Sequence, residues 1–575
     1  MSRIFENRYF DEIELYDQFG VFLLERERGR YTYLFRTCDP LADSIELSGD
    51  FNMWSGLQME HVANGIFEKK VESEISLDGT CYKYRIYKDG QCRIVGDSFA
   101  RYSRSEFSDG SIIYTDDDYF WQDESWLQNR RKAITDKESF PLNIYELHLG
   151  SWKKRSHEVS IEGHLNYRDL AQMISEYVFD MGYTHISLLS FVDMIRGSYF
   201  SPSSVHGTPE DFKFFVDALH RSDIGVLIDF DIDMKSYKQS GAHSEELSDF
   251  YTSAAVFWLR EFHIDGIKFN VFEDNAWCVD AINLYEDDYF EVANMLKKIN
   301  LRLENEFIDC LKISGELPEK IKATNKITKG DGGKGLCFDF VLNQNWCQSL
   351  FEDKQNEQGI QKYKYGKLGY TLMCTFDERY ILPITAKDVS SGRGSLISKM
   401  QGEYTEKFRK IKLLLTYMML HPGRKSVFMG CEIGEMHEWE KGGQIEWFLT
   451  DYPLHKELKN HCRRLNKIYA ENSALWANDN SWKGFEWYES KGLEQGIMCF
   501  ARIGEKNIRV VGIFNFSENT VLDFSLYDMN IKNAKILLST GYETIPLINE
   551  NIDEDSPLDL PPISALVLQI QNLEE

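Results

Sequence analysis

Polar side chains gather at the ends of several short apolar runs in this chain, and these are the groups that could do chemistry. The run His263-Ile264-Asp265-Gly266-Ile267-Lys268-Phe269-Asn270 alternates polar and apolar residues, as a strand with two distinct sides does, and it ends on Lys268 and Asn270. Ile313-Ser314-Gly315-Glu316 ends on a carboxylic acid. Val226-Leu227-Ile228-Asp229-Phe230-Asp231-Ile232-Asp233-Met234 carries three acids, and Leu382-Pro383-Ile384-Thr385-Ala386-Lys387-Asp388-Val389 carries a lysine and an acid. Carboxyl groups held at strand ends serve as general acids, bases or nucleophiles, and in barrel enzymes that chemistry sits at the C-terminal ends of the strands. A single Glu after Gly is a weak sign of any of these roles.

The elements that must hold these groups alternate strand and helix. Strands are expected at Ile144–Leu147, His185–Leu189, Val226–Phe230, Ile264–Phe269, Leu311–Ser314, Cys337–Phe340, Tyr380–Ile384 and Val427–Met429. Eight strands in a βα rhythm are what a closed (β/α)8 barrel needs. Ahead of them, Tyr31–Arg36, Ile45–Trp54 and Cys81–Tyr87 read as short strands broken by turns, a small β-sandwich; after about Lys483 strands return, with Arg509–Phe516 and Leu560–Leu568. The expected division is an extension at 1–30, a sandwich at 31–105, a linker at 106–140 anchored by Trp121 and Trp126, the barrel at 141–482 and a second sandwich at 483–575.

The formal net charge of −27 excludes partners that need a basic surface, namely nucleic acid and anionic membranes, and suits a neutral ligand. The 11 cysteines form no Cys-x-x-Cys or Cys/His cluster, so neither a metal nor another cofactor is expected. No run is long enough to cross a bilayer, and Met1–Glu6 lacks the apolar core of a secretion signal, which makes the cytoplasm the expected location.

The segments resemble those of the glycogen and starch branching enzymes of the alpha-amylase superfamily. Asn143–Trp152 is similar to that family's first barrel strand, Gly335–Phe338 to its sixth, and Phe428–Gly434 with Glu438-Trp439 to its eighth. Gly49-Asp50-Phe51-Asn52-Met53-Trp54 resembles the carbohydrate-binding module that precedes the barrel, where Trp54 would stack on glucose; the second stacking Trp falls at Cys92. The resemblance implies a retaining glucosyl transfer that needs a carboxylate nucleophile and a carboxylic acid on opposite faces of the sugar. Glu316 falls at the acid/base, and Asp229 at a sugar-contacting acid.

Five sugar-handling positions depart from the family pattern. Asn270 stands at the nucleophile, Lys387 at the third carboxylate, Ala386 and Met234 at sugar-binding histidines, and the segment Met194–Gly207 lacks a clear stacking Tyr, Tyr199 being the nearest candidate. Lys268 stands for an Arg, keeping the charge without the planar fork. A carboxamide cannot form the glycosyl ester, and losing a member of such a unit costs on the order of 10⁴–10⁶ in rate. Lys268 and Lys387 would oppose the acid role of Glu316 if they approach it. The departures imply a branching-enzyme-like protein without branching activity that binds α-glucan or a partner enzyme active on glucan. Two alternatives stay open: an active branching enzyme in which Asp231, Asp233 or Asp388 replaces the lost carboxylates, and a sensor of an anionic sugar in a pocket made basic by the lysines. Collapse of the pocket, with the lysines paired to Glu316 and Asp388, competes with the last.

Overall fold

The computed structural model describes residues 14–570 apart from 28, 64, 104–109, 116–117, 136–139, 156–162, 190–198, 235–243, 274–283, 329–334, 345, 348–370, 373–374, 489–495, 506–507, 527–533, 542–550 and 553–557. Eight parallel strands close into a barrel: Asn143–Leu147, His185–Leu188, Gly225–Asp233, Gly266–Phe272, Leu311–Ser314, Phe340–Leu342, Tyr380–Ile384 and Arg424–Phe428. Closure is made by the first strand pairing with the eighth, Glu146 beside Phe428. Helices such as Tyr167–Met181, Pro209–His220, Ser244–Glu261, Glu286–Glu306 and Tyr404–Leu420 alternate with the strands. Their ends follow from local chemistry. Asn166 accepts from the Asp169 N–H, Thr208 and Asp211 cap each other's backbone ahead of Pro209, and Gly182 ends its helix at φ 77°.

The third and fourth strands run further than their apolar cores suggest. They pair from Leu227 beside Gly266 to Asp233 beside Phe272, which sets Asp229 beside Lys268 and Asp231 beside Asn270. The sixth strand begins at Phe340 rather than Cys337, because Cys337 turns at φ 64° and Phe338 bridges Thr328 instead.

The first sandwich packs the sheet Gly20–Glu27, Arg30–Cys38, Ile66–Ser73, Glu60–Ala63 against one built on Ser44–Gly49, Cys81–Lys88 and Gln91–Val95. Tyr33, Phe35, Ile45, Leu47, Tyr82 and Tyr84 fill the space between them. The strand Gly20–Glu27 corrects the expected extension at 1–30, since Val21 and Leu23 pack on this core. The expected linker likewise holds structure. Ser111–Ile112 joins the sandwich and Glu124–Thr135 is a helix. Trp126 of that helix donates to Asp265 Oδ1 at 2.8 Å, and Trp121 stacks on His263 at 3.9 Å. Arg130 ties the same helix to Asp265 and Asp309, and His220 bridges Asp265 and Asp123 at 2.9 Å each. Asp265 therefore anchors the fourth strand's N-terminal end, fully buried among one imidazole, one indole and one guanidinium. The C-terminal strands form a six-stranded sheet and a two-stranded one around Val511, Ile513, Leu566 and Leu568.

Candidate functional site

Strand periodicity decides what meets at the C-terminal end of the barrel. Successive side chains point to opposite faces, so Asp229 and Asp231 share a side of the third strand, and Lys268 and Asn270 share a side of the fourth. Their parallel register brings the two pairs together. Lys268 Nζ lies 2.7 Å from Asp229 Oδ1 and 2.9 Å from Glu146 Oε2, with all three side chains under a tenth exposed. Ser187 Oγ leans on Asp229 at 3.5 Å, and Glu146 Oε1 accepts from the Ala386 N–H at 3.2 Å. Burial pushes Asp229 up to about 7, against the pull of Lys268 and with the push of Glu146 and Asp231, while the two carboxylates that grip Lys268 outweigh its burial and hold its proton on.

Asn270 is bonded in both directions. Its Nδ2 donates to Asp231 Oδ1 at 2.8 Å and to Asp229 Oδ2 at 3.4 Å, and its Oδ1 accepts from the Glu316 N–H at 2.9 Å. Burial raises the Asp231 carboxyl, with Asn270 and Lys268 opposing. Gly315 is required here, since a Cβ at that position would fall onto Asn270 Oδ1. Glu316 emerges from this cluster partly exposed, and its Oε1 accepts from Lys387 Nζ at 2.7 Å.

The lysines thus divide: Lys387 reaches Glu316, whereas Lys268 is drawn away to Glu146 and Asp229. Asp388 is taken up by its own short turn, where its Oδ2 accepts from the Thr385 N–H and hydroxyl, both at 2.8 Å. Met234 is buried. Tyr199, the candidate for sugar stacking, is corrected by its surroundings. Its ring lies within about 5.5 Å of Phe230, Phe250 and Tyr251, its hydroxyl donates to the Asp231 carbonyl, and the residue is buried. The remainder of its expected loop, 194–198, lies outside the described residues. His148 is a core residue, hydrogen-bonded to Ser151 at 2.9 Å and held near 3 by burial. Glu146 was not foreseen as a site residue; a charged side chain inside an otherwise apolar barrel strand is the signal that could have found it.

On the first sandwich, Trp54 occupies a turn where it and Met53 both have positive φ, and its indole N–H donates to Asp50 Oδ1 at 3.0 Å. The ring is 38% exposed and lines a cavity of about 390 Å³ with Ser48, Asp50, Cys81, Lys83, Arg85 and Ile94. Cys92 is exposed.

A closed eight-stranded barrel with polar groups at the C-terminal ends of its strands and flanking sheets defines an alpha-amylase-type architecture. Solved structures share it: the catalytic module of the glycogen-degrading pneumococcal virulence factor SpuA in complex with an inhibitor aligns with 97% of this chain and 99% of its own at a TM-score of 0.69 and 13% identity. The pullulanase from Anoxybacillus sp. LM18-11 complexed with maltotriose aligns with 97% and 88% at 0.68 and 14%. No protein-family model matches. Among curated proteins, the 1,4-alpha-glucan branching enzyme GlgB of Fusobacterium nucleatum is 30% identical over 87% of this chain and 85% of its own. That of Geobacillus stearothermophilus is 31% identical over 85% and 81%. The chain belongs to the 1,4-alpha-glucan branching enzyme family.

Proposed function

We propose that this protein works in α-glucan metabolism by binding glucan, alone or beside an enzyme active on it, and that its barrel does not carry out branching. The single observation behind this reading is the bonding of Asn270. The side chain at the nucleophile position is a neutral carboxamide, committed to Asp231 and Asp229 through its N–H groups and to the Glu316 backbone through its oxygen. A double displacement needs an ionised carboxylate there and a carboxylic acid facing it. The groups around position 270 instead satisfy one another, and Glu316 is occupied by Lys387. Trp54 is the proposed glucan contact on the sandwich, and Glu316, Asp229 and Lys268 are remnants of the sugar site.

A second reading has one observation in its favour. Asp231 places a carboxylate 2.8 Å from the Asn270 amide, so a rearranged site could use Asp231 in the nucleophile's place. An anionic ligand in the barrel has less support, because each lysine there already meets a carboxylate. The test is incubation of the purified protein with amylose and a count of new α-1,6 linkages beside a Glu316→Gln control. The proposal expects none in either sample. Linkages that vanish in the control would overturn it, and trapping of a glycosyl adduct on Asp231 would establish the second reading. Retention on immobilised glycogen is expected, and its absence would remove the glucan-binding half of the proposal.

A further inference from the structure

We infer that the sandwich cavity takes a hexose carrying a phosphate ester, with the sugar ring on Trp54 and the phosphate between Lys83 and Arg85. This rests on the reading of Trp54 as a sugar contact. The strand Cys81–Lys88 alternates strictly: Tyr82, Tyr84 and Ile86 enter the core, so Lys83 and Arg85 stand two residues apart on the outer face. Both line the cavity beside the exposed indole. Arg85 is oriented by donating Nη2 to the Trp54 carbonyl at 2.7 Å, while its approach to Glu46 is a loose 4.0 Å. One carbonyl contact leaves most of the guanidinium's five N–H donors open. Among the described residues the Lys83 side chain makes no hydrogen bond or ion pair. Asp50, the one acid in the lining, is spent on the indole N–H and the Cys81 N–H at 2.8 Å.

The cavity therefore offers an aromatic face, an oriented guanidinium and an uncompensated ammonium. An aromatic face receives the apolar side of a sugar, and paired cations of these two kinds recognise phosphate oxygens. A neutral glucan uses the first and leaves the Lys83 ammonium without an opposite charge. Its volume, about 390 Å³, lies at the small end of ligand sites and suits a single substituted hexose or a chain segment ending there. The overall charge of −27 does not forbid this, since beyond roughly 8 Å at physiological salt other surface charges are screened and the groups at the cavity decide, where Lys83 and Arg85 stand against Asp50 and the more distant Glu46.

The experiment is calorimetric titration of the full chain with glucose 6-phosphate, glucose, maltose and inorganic phosphate, for the unmodified protein, Lys83→Met and Trp54→Ala. Lys83 is on an outer face, so its replacement leaves the core intact. The expected result is glucose 6-phosphate binding about tenfold tighter than glucose, the worth of a charge-assisted hydrogen bond, with that gain lost in Lys83→Met and maltose binding unchanged. Trp54→Ala should weaken every sugar. Equal affinity for glucose and its phosphate, or an unchanged preference in Lys83→Met, would overturn the inference while leaving Trp54 a plain sugar contact. Inorganic phosphate binding as tightly as the sugar phosphate would also overturn it, since the ring would then contribute nothing. No binding of any sugar would sink both this inference and the Trp54 reading. Retention on phosphorylated starch before and after phosphatase treatment then separates a phosphorylated chain from a free sugar phosphate as the source.

Discussion

Restoring an aspartate at position 270 should damage this protein rather than revive it. In Asn270→Asp an oxygen replaces the Nδ2 that now lies 2.8 Å from Asp231 Oδ1 and 3.4 Å from Asp229 Oδ2. Two unit charges 2.8 Å apart repel by about 6 kcal/mol at an effective dielectric of 20. Taking up a proton caps that cost: from an ordinary carboxyl value near 3.9, holding a proton at pH 7 costs about 4 kcal/mol, and at pH 5 about 1.5 kcal/mol. The folded-state value of the new group is raised above its unfolded value. Its destabilisation is therefore absent well below pH 4 and grows as pH rises toward that folded value. Denaturant unfolding of the unmodified protein and the variant at pH 5 and pH 7 should show the gap widening by about 2–3 kcal/mol. Asn270→Asp combined with Asp231→Asn should close most of it by returning an amide to the pair. Equal stability of variant and unmodified protein at both pH values would refute the reasoning, because the carboxylates would then not meet as described. Branching activity should stay at background in the single variant, since a protonated carboxyl is not a nucleophile.

Other expectations can be checked on the same footing. Lys268→Ala strips the one ammonium from Glu146 and Asp229, and chemical denaturation should show a loss of about 3–5 kcal/mol, the usual result of breaking a buried pair. Lys387→Ala breaks an ion pair whose lysine is 58% exposed, so unfolding should change by less than about 1 kcal/mol. Below the barrel, the carboxyls of Asp123 and Asp265 are held under their ordinary 3.8 by His220 and its neighbours, and His220 is held above 6.5 by the two acids. The acids' contribution is present above 3.8 and is lost as pH falls through their lowered values; the imidazole's is full below 6.5 and is lost as pH rises through its raised value. Thermal unfolding against pH should accordingly show a plateau with a fall on each side, and Asp265→Asn should flatten both falls.

The barrel was legible because its strands are apolar runs with polar ends and its helices carry ordinary caps. All eight were placed, with the sixth displaced by the left-handed turn at Cys337 that a propensity argument does not register. The odd residues at 268, 270 and 387 and the retained acid at 316 were legible as residues. Their bonding was not, because it depends on register between neighbouring strands. Whether Lys268 would approach Glu316 was left open by the sequence, and it sits beside Asp229, two register positions below the Asp231–Asn270 pair. Tyr199 looked available because a loop Tyr is ambiguous until its neighbours Phe230, Phe250 and Tyr251 are known. The helix Glu124–Thr135 was hidden for a related reason, since it is held by Asp265, far along the chain, whereas the strand Gly20–Glu27 pairs with the next strand, Arg30–Cys38.

The fourth barrel strand holds its two polar duties apart. Asp265 at its base binds His220, Trp126 and Arg130, and Asn270 at its tip closes the cluster with Asp231 and Glu316. Five steps of extended chain separate them by roughly 16 Å. The base keeps the strand in place whichever set of groups stands at the tip, but the tip residues are bonded to one another and so tolerate exchange only as a matched set. The same separation suits an engineer. The rim of this barrel can be redesigned as a glucan-holding surface if Asp229, Asp231, Lys268 and Asn270 are changed together, with the strand's anchor left untouched.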